Sequence, residues 1–327
     1  MLQNFGGCVT FQVKILVTDP LHEDALNLLH NYPNISVDYF PEISREKLLE
    51  IIHEYDAMIV RDRTKITCEI LDKASKLKII VRAGSGLDNI DVEHALKKDI
   101  KVFNTPDAVS DSVAELTIGL MIMLSRKLYQ AVDSLKKGLW LKNNLMGFEL
   151  SGKTVGIIGV GRIGSRVAKI AKALNMKILL YDIVKVSEDL VREVGGVQVD
   201  LETLLRESDY VTLHVPLTPD TEKMIGEREL KIMKKTAFLI NTARGKIVDS
   251  EALYKALIER WIAGVALDVY EVEPPLNLKL LQLDNVVCTP HIGAQTIEAR
   301  RKSARTKSCS RRSRTRRQVN HIYYNSK

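Results

Sequence analysis

Short β-branched and aliphatic runs alternate along the chain with stretches whose apolar positions recur at helical spacing, and the alternation is already under way by residue 13. Strands are predicted over 13–18, 35–39, 57–60, 77–81 and 101–104, with helices over 22–29, 45–53, 68–74 and 92–97 between them. Ser44 precedes the second of these helices as a cap, since its hydroxyl can accept a backbone N–H left free in the first turn. Strands separated by helices build a parallel sheet covered on both faces.

An apolar-periodic helix follows over 110–125, and then a more polar stretch over 126–151, where the pattern alone places a domain boundary. Alternation resumes at Lys153 with a strand over 154–159, a helix over 163–174 and further strands over 177–181, 210–215, 237–241, 264–268 and 285–289. The fold class expected is α/β, with two doubly wound parallel-sheet domains. The apolar stretch 114–124 falls well short of the roughly 20 residues a membrane span requires, so a buried helix and no membrane partner are expected.

Composition changes this picture little. A length of 327 residues with 45% hydrophobic content gives each of two domains its own core. The net charge of +7 is misleading, because eleven of the 48 Lys and Arg lie in residues 300–327, which hold no acid; the rest carries 37 bases against 41 acids. Nucleic-acid contact is therefore conceivable only through the basic 300–317 segment and is not expected of the body. Cys8, Cys68, Cys288 and Cys309 stand singly, without metal-ligand spacing, and are read as free thiols with no metal. Met1 to Thr10 has neither a basic start nor a sustained apolar core, which leads us to expect a cytoplasmic protein.

Candidate chemistry begins at Gly159-Val160-Gly161-Arg162-Ile163-Gly164, between a predicted strand and a predicted helix. Gly159, Gly161 and Gly164 suit a tight turn, close approach of backbone to a pyrophosphate, and close helix-on-strand packing. The anion would sit at the positive helix N-terminus near Arg162 and Ile163. Asp182 ends the next strand 18 positions past Gly164, near the expected spacing of about 20; its carboxylate would accept from the ribose hydroxyls and repel a 2′-phosphate, making NAD the cofactor.

Three segments at strand ends of the second domain converge on the carboxyl edge of the sheet: Asn241 to Gly245, Asp268 to Pro275, and Thr289 to Ala294. His291 can exchange a proton with a substrate hydroxyl or carbonyl near neutral pH. Glu273 beside the ring would favour the imidazolium and orient it, and Arg244 offers a planar fork for a substrate carboxylate. Each alone is unremarkable; together, after the glycine fingerprint, they point to hydride transfer coupled to proton transfer.

With these residues in place, the chain resembles the D-isomer-specific 2-hydroxyacid dehydrogenases. The likeness runs from about Val13 to Arg301 and includes Val60-Arg61-Asp62-Arg63-Thr64, Arg82-Ala83-Gly84-Ser85-Gly86-Leu87-Asp88-Asn89, Phe103-Asn104-Thr105-Pro106 and Ser112-Val113-Ala114-Glu115-Leu116. The resemblance implies that Arg244, Glu273 and His291 are catalytic, and that Ser85, Arg162, Ile163, Asp182, Thr242, Ala243, Asp268, Gly293 and Ala294 line the NAD site. It implies a substrate role for Arg61, Ser85, Gly86, Asn104 and Arg244, with the backbone of the Ser85–Gly86 turn receiving a carboxylate and Arg61 suiting a phosphate. A surface network of Arg61 or Arg63 with Asp62 is the competing reading of that arginine.

The resemblance also divides the chain into a substrate domain over 1–104, rejoined by 298–301, and an NAD domain over 105–297, with the stretch after Arg126 helping to build a homodimer. It lies nearest the branch that oxidises 3-phospho-D-glycerate, the small-molecule substrate that opens the phosphorylated route to serine. Glyoxylate or hydroxypyruvate reduction, and an NADH-responsive corepressor, are the alternatives. After Arg301 the family pattern stops. Residues 302–318 hold only Ala304 and Cys309 as apolar members before Gln318, and a basic, disordered tail over 302–327, or an altered reading frame, is expected. A terminal serine-sensing domain, and with it feedback inhibition, is not expected.

Overall fold

The computed structural model describes residues 12–309 apart from Asn277, with side chains as far as Ser303. Two compact units emerge: one runs to Val109 and takes up the chain again at Ile297, and the other spans Ser110–Thr296.

The first unit is built on five parallel strands, β1 (Val13–Val17), β2 (Ile35–Tyr39), β3 (Ala57–Val60), β4 (Ile79–Arg82) and β5 (Lys101–Asn104), ordered β2-β1-β3-β4-β5. Its core packs Leu16, Met58, Val60 and Ile80 against Leu48, Ile52, Ile70 and Leu71 of the helices, all buried. Ser44 caps the helix Arg45–Ile51 through its Oγ, which accepts from Lys47 N at 3.2 Å.

The second unit carries seven parallel strands: β6 (Thr154–Ile158), β7 (Lys177–Tyr181), β8 (Val197–Gln198), β9 (Tyr210–Leu213), β10 (Phe238–Asn241), β11 (Gly264–Leu267) and β12 (Val286–Cys288). Their order is β12-β11-β10-β9-β6-β7-β8, so the winding reverses between β6 and β9, beside the glycine-rich loop. Several strands end sooner than the apolar pattern predicts. Thr18, His214 and Asp268 read as strand residues, yet the ladder stops before each, and the chain bends into the loops at the carboxyl edge.

Four further differences from the sequence reading have physical causes. The helix Pro106–Ser125 begins four residues early, because Pro at its start has no N–H to leave unpaired. It reaches 20 residues and is long and apolar enough to cross a membrane, but 67% of its apolar window is buried inside the protein. The units part within this helix, at Val109 and Ser110, and not in the 126–151 stretch that the pattern favoured. That stretch is less polar than it reads: the helix Leu128–Lys136 and the segment after it leave Tyr129, Val132, Leu135, Trp140 and Met146 exposed.

The tail also needs correction where it is described. A helix runs over Ile297–Cys309, past the point where the sequence reading ends the fold and expects disorder. Bulky apolar residues are not what docks it: Ala299 and Ser303, one turn apart, are buried, and Ser303 meets Thr105 at 3.5 Å. Arg301 adds an ion pair to Asp24 at 3.7 Å. The expectations for Cys8 and for residues 310–327 lie outside the described residues. Cys68 and Cys288 are free and exposed, and among the described residues no cluster of His, Cys, Asp or Glu could hold a metal.

Tyr210 is the largest fully buried side chain, stacked on Phe238 with ring centroids 5.6 Å apart. Ser125 donates to Met121 O at 2.6 Å, so at 2.7 Å it is the Tyr210 hydroxyl that donates to Ser125 Oγ. Ser125→Ala therefore strands a buried hydroxyl and is expected to lower unfolding free energy by about 1–3 kcal/mol, whereas Tyr210→Phe, which removes the donor, costs about 1 kcal/mol or less. Urea denaturation of the two variants checks this ordering.

Candidate active and cofactor sites

The glycine-rich loop leaves β6 at the winding reversal, and its three glycines have three separate reasons to be glycine. Gly159 sits at φ +89°, and a Cβ there would lie 2.8 Å from the His214 backbone. A Cβ on Gly164 would lie 2.0 Å from Gly159 O, so the helix Arg162–Ala173 packs directly on the loop. A Cβ on Gly161, by contrast, would meet nothing within 4 Å. That open side faces the start of a 12-residue helix whose cap position has no side-chain acceptor, leaving backbone N–H groups for an anion. These residues fit a dinucleotide pyrophosphate. Asp182, just past β7, accepts from Val160 N at 2.8 Å and from Val184 N at 3.2 Å, so it anchors the loop.

Of the other residues expected to line the NAD site, Thr242 is buried with its hydroxyl 2.9 Å from that of Thr117, which itself donates to Val113 O. Ala243 N is held by Asn241 Oδ1 at 3.0 Å. Asp268 is fully buried and bound into the protein by three donors: Thr289 Oγ1 at 2.6 Å, Ile292 N at 2.8 Å and Gly293 N at 2.8 Å. Ala294 follows, half-buried.

The second unit brings Arg244, Glu273 and His291 to the loops after β10, β11 and β12. Glu273 Oε2 lies 2.7 Å from His291 Nδ1, and its Oε1 accepts from Tyr270 N at 3.1 Å. His291 adopts φ +52°, a left-handed conformation that costs a residue with a side chain about 1–3 kcal/mol. The Asp268 bonds on either side, to Thr289 and to Ile292 and Gly293, hold that conformation in place. Arg244 Nη1 donates to Ala243 O at 2.6 Å, and Asn241 Nδ2 supports the Arg244 carbonyl at 2.9 Å.

Electrostatics follow from these contacts. The hydrogen bond that His291 donates to Glu273 raises the His291 pKa; burial opposes it, the charges of Glu273 and Asp268 add to the rise, and Arg244 pulls the other way. For Glu273, burial acts against ionisation, but the bond and charge of His291, the Tyr270 N–H and Arg244 together outweigh it and hold the carboxyl below its ordinary value.

In the first unit, Asn104 Nδ2 donates to Ser85 O at 2.5 Å and Thr105 N to Gly84 O at 2.9 Å, so Asn104 fixes the Ser85–Gly86 turn. Arg61 follows β3 directly. Among the described residues neither Arg61 nor Arg63 pairs with Asp62; Arg63 donates to Pro41 O at 2.7 Å, which removes the surface network as an account of Arg61.

Two contributors escape a reading of the sequence. Gly245 has Tyr270 and Glu271 so close that a Cβ would lie 1.9 Å from the Tyr270 carbonyl carbon, and this contact seats the loop carrying Glu273. The Tyr270 hydroxyl donates to Thr289 O at 2.8 Å and ties that loop to the His291 loop. The Asn-Thr-Ala-Arg-Gly run after β10 is the one signal that could have drawn attention to Gly245.

Glu273→Gln keeps a hydrogen-bond acceptor beside Nδ1 but removes the charge. The His291 pKa is expected to fall, measured by NMR titration of the imidazole; an unchanged titration would mean that Glu273 does not set it.

Comparison with known proteins shows the family to which this fold belongs. Residues 118–293 match the D-isomer specific 2-hydroxyacid dehydrogenase NAD-binding domain. The chain is 50% identical over 291 residues to a D-3-phosphoglycerate dehydrogenase of Methanocaldococcus jannaschii, covering 88% of this chain but only 55% of that protein, about half its length. It is 48% identical over 292 residues to a hydroxypyruvate reductase of Thermotoga maritima, covering 88% of this chain and 94% of the other. The D-lactate dehydrogenase of Aquifex aeolicus, solved with NAD and lactic acid, superposes with a TM-score of 0.81 at 34% identity, covering 90% of this chain and 92% of that one. The chain carries an NAD-binding Rossmann domain and belongs to the D-isomer-specific 2-hydroxyacid dehydrogenase family.

Proposed function

We propose that the protein is an NAD-dependent dehydrogenase that oxidises 3-phospho-D-glycerate to 3-phosphohydroxypyruvate, the opening step of phosphorylated serine synthesis. The observation that carries the chemistry is the His291–Glu273 pair at 2.7 Å. With Nδ1 engaged by Glu273, His291 takes the substrate hydroxyl proton at Nε2, which among the described residues has no partner. Glu273 stabilises the imidazolium so formed, and Arg244 holds the substrate carboxylate and polarises the oxygen at the reacting carbon. Bound NAD supplies the hydride acceptor.

Arg61 and the Ser85–Gly86 turn are the substrate residues of the first unit in this reading. An arginine that among the described residues has no counter-carboxylate suits a phosphate, which favours the phosphorylated acid. Hydroxypyruvate or glyoxylate reduction is the second reading, supported by the 48% identity to the hydroxypyruvate reductase. It uses the same proton and hydride chemistry in reverse.

NADH absorbance with 3-phospho-D-glycerate, D-glycerate and D-lactate, and its loss with hydroxypyruvate and glyoxylate, separates the readings. Turnover confined to the phosphorylated acid, falling at least about a hundredfold in His291→Ala, is the expected result; preference for an unphosphorylated acid places the enzyme with the reductases. Oxidation needs neutral His291, whose raised pKa sets the acid limb of kcat/KM. Glu273→Gln lowers that pKa and should move the limb to lower pH, while reduction, which needs the imidazolium, should weaken near neutral pH.

We also propose a homodimer joined through the apolar side chains exposed after Arg126. Trp140 is 80% and Met146 82% exposed, an arrangement with a cost in water that a second copy would relieve. Sedimentation is expected to show a dimer that Tyr129→Lys together with Trp140→Lys converts to monomer.

A further inference from the structure

The first sheet reverses its winding between β1 and β3, and in open parallel sheets ligands bind outside the carboxyl ends of the strands at such a point. Two polar residues there have no part in the chemistry described so far. Asp19, two residues past β1, is buried at 0% exposure. Its Oδ2 accepts from Arg61 N and, at 3.4 Å, from Thr64 N, and its Oδ1 accepts from the Thr64 hydroxyl at 2.6 Å. From the other side Asn89 Nδ2 donates to Arg61 O at 2.8 Å and to Thr64 O at 2.7 Å. The turn from Arg61 to Thr64 is thus held at both ends, its N–H groups by one side chain and its carbonyls by another.

This cage is costly. A buried carboxylate must find donors for both oxygens, and among the described residues no Lys or Arg side chain supplies them. Asn89 Oδ1, moreover, is buried and among the described residues has no partner. An apolar contact would cover β1 and β3 at lower cost. What the polar cage adds is a single backbone conformation at Arg61, whose guanidinium, among the described residues, no carboxylate holds.

We propose that Asp19 and Asn89 are positioning residues that aim Arg61 at the anionic group of the substrate. The inference rests on the reading of Arg61 as a substrate residue. The two positions differ in what they tolerate. Asn89→Asp is nearly isosteric but replaces a donor to two carbonyls with an anion against them. Asp19→Asn keeps one oxygen for the Arg61 and Thr64 amides, and its NH2 can donate to the Thr64 hydroxyl, which accepts as readily as it donates.

The experiment measures kcat and KM with whichever of 3-phospho-D-glycerate and hydroxypyruvate the protein turns over, in wild type and in an Arg61→Ala background, beside thermal midpoints and NADH affinity by fluorescence. Asn89→Asp is expected to raise KM about tenfold with kcat changed less than about twofold, and to add nothing once Arg61 is Ala. Asp19→Ala should behave likewise, with Asp19→Asn restoring most of the loss. NADH affinity should not move. Equal KM effects of Asn89→Asp in both backgrounds, or none in either, overturn the inference.

Hydrogen exchange of the 61–64 amides separates its two supports. Unchanged exchange in Asn89→Asp means there is no cage, whatever Arg61 does; faster exchange with a wild-type KM in Arg61→Ala means the cage holds a residue that does not meet substrate, and this too overturns the inference.

Discussion

A carboxylate set just past the end of a parallel strand, taking the backbone N–H groups of the loop that leaves the neighbouring strand, is the device on which the site geometry depends. Among the described residues it occurs three times. Asp19 after β1 takes Arg61 and Thr64 after β3, Asp182 after β7 takes Val160 after β6, and Asp268 after β11 takes Ile292 and Gly293 after β12. Each pair of strands is adjacent and parallel. Neighbouring strands lie about 4.8 Å apart, a gap a short Asp side chain can bridge and a longer Glu would overshoot. Where the ladder ends, loop N–H groups lose their strand partners near the interior, and an acceptor with two oxygens satisfies several at once.

The device turns loops into parts of a rigid scaffold. His291 could relax out of its left-handed backbone if the residues around it were free, and its imidazole would then swing away from Glu273. Asp268 prevents this by binding the chain before and after the histidine, while Gly245 lets the Glu273 loop lie against the Arg244 loop without an intervening side chain. Placement to within a fraction of an ångström is what proton transfer requires, and here it comes from backbone hydrogen bonds more than from packing of the reacting side chains themselves.

Much of this was legible in the sequence wherever a signal is local. The glycine loop, Asp182 at the next strand end and the run of Arg244, Glu273 and His291 each announce themselves within a few residues. Long-range partners do not. Nothing near Asp19 indicates that residues 42 and 45 positions later need its oxygens, and nothing near Asn89 points back to Arg61. The terminal helix shows the opposite error: judging burial from bulky apolar residues overlooks Ala299 and Ser303, which dock because they are small. In the stretch after Arg126, charged residues around Tyr129, Trp140 and Met146 masked an exposed apolar set that only the burial of each side chain makes visible.

The balance of charge around His291 also bears on the direction of the reaction. Glu273, through its hydrogen bond first, and the charges of Glu273 and Asp268 raise the imidazole pKa and so favour the protonated form, the one able to protonate a keto acid. Oxidation of the hydroxy acid needs the other form. Arg244, on the same site, works against the two carboxylates and keeps that form within reach. Arg244, the arginine proposed to hold a substrate carboxylate, is therefore also a brake on the histidine's basicity. A substrate anion held by Arg244 as proposed would offset its charge and make the imidazole a stronger base at the moment a hydroxyl proton is there to be taken.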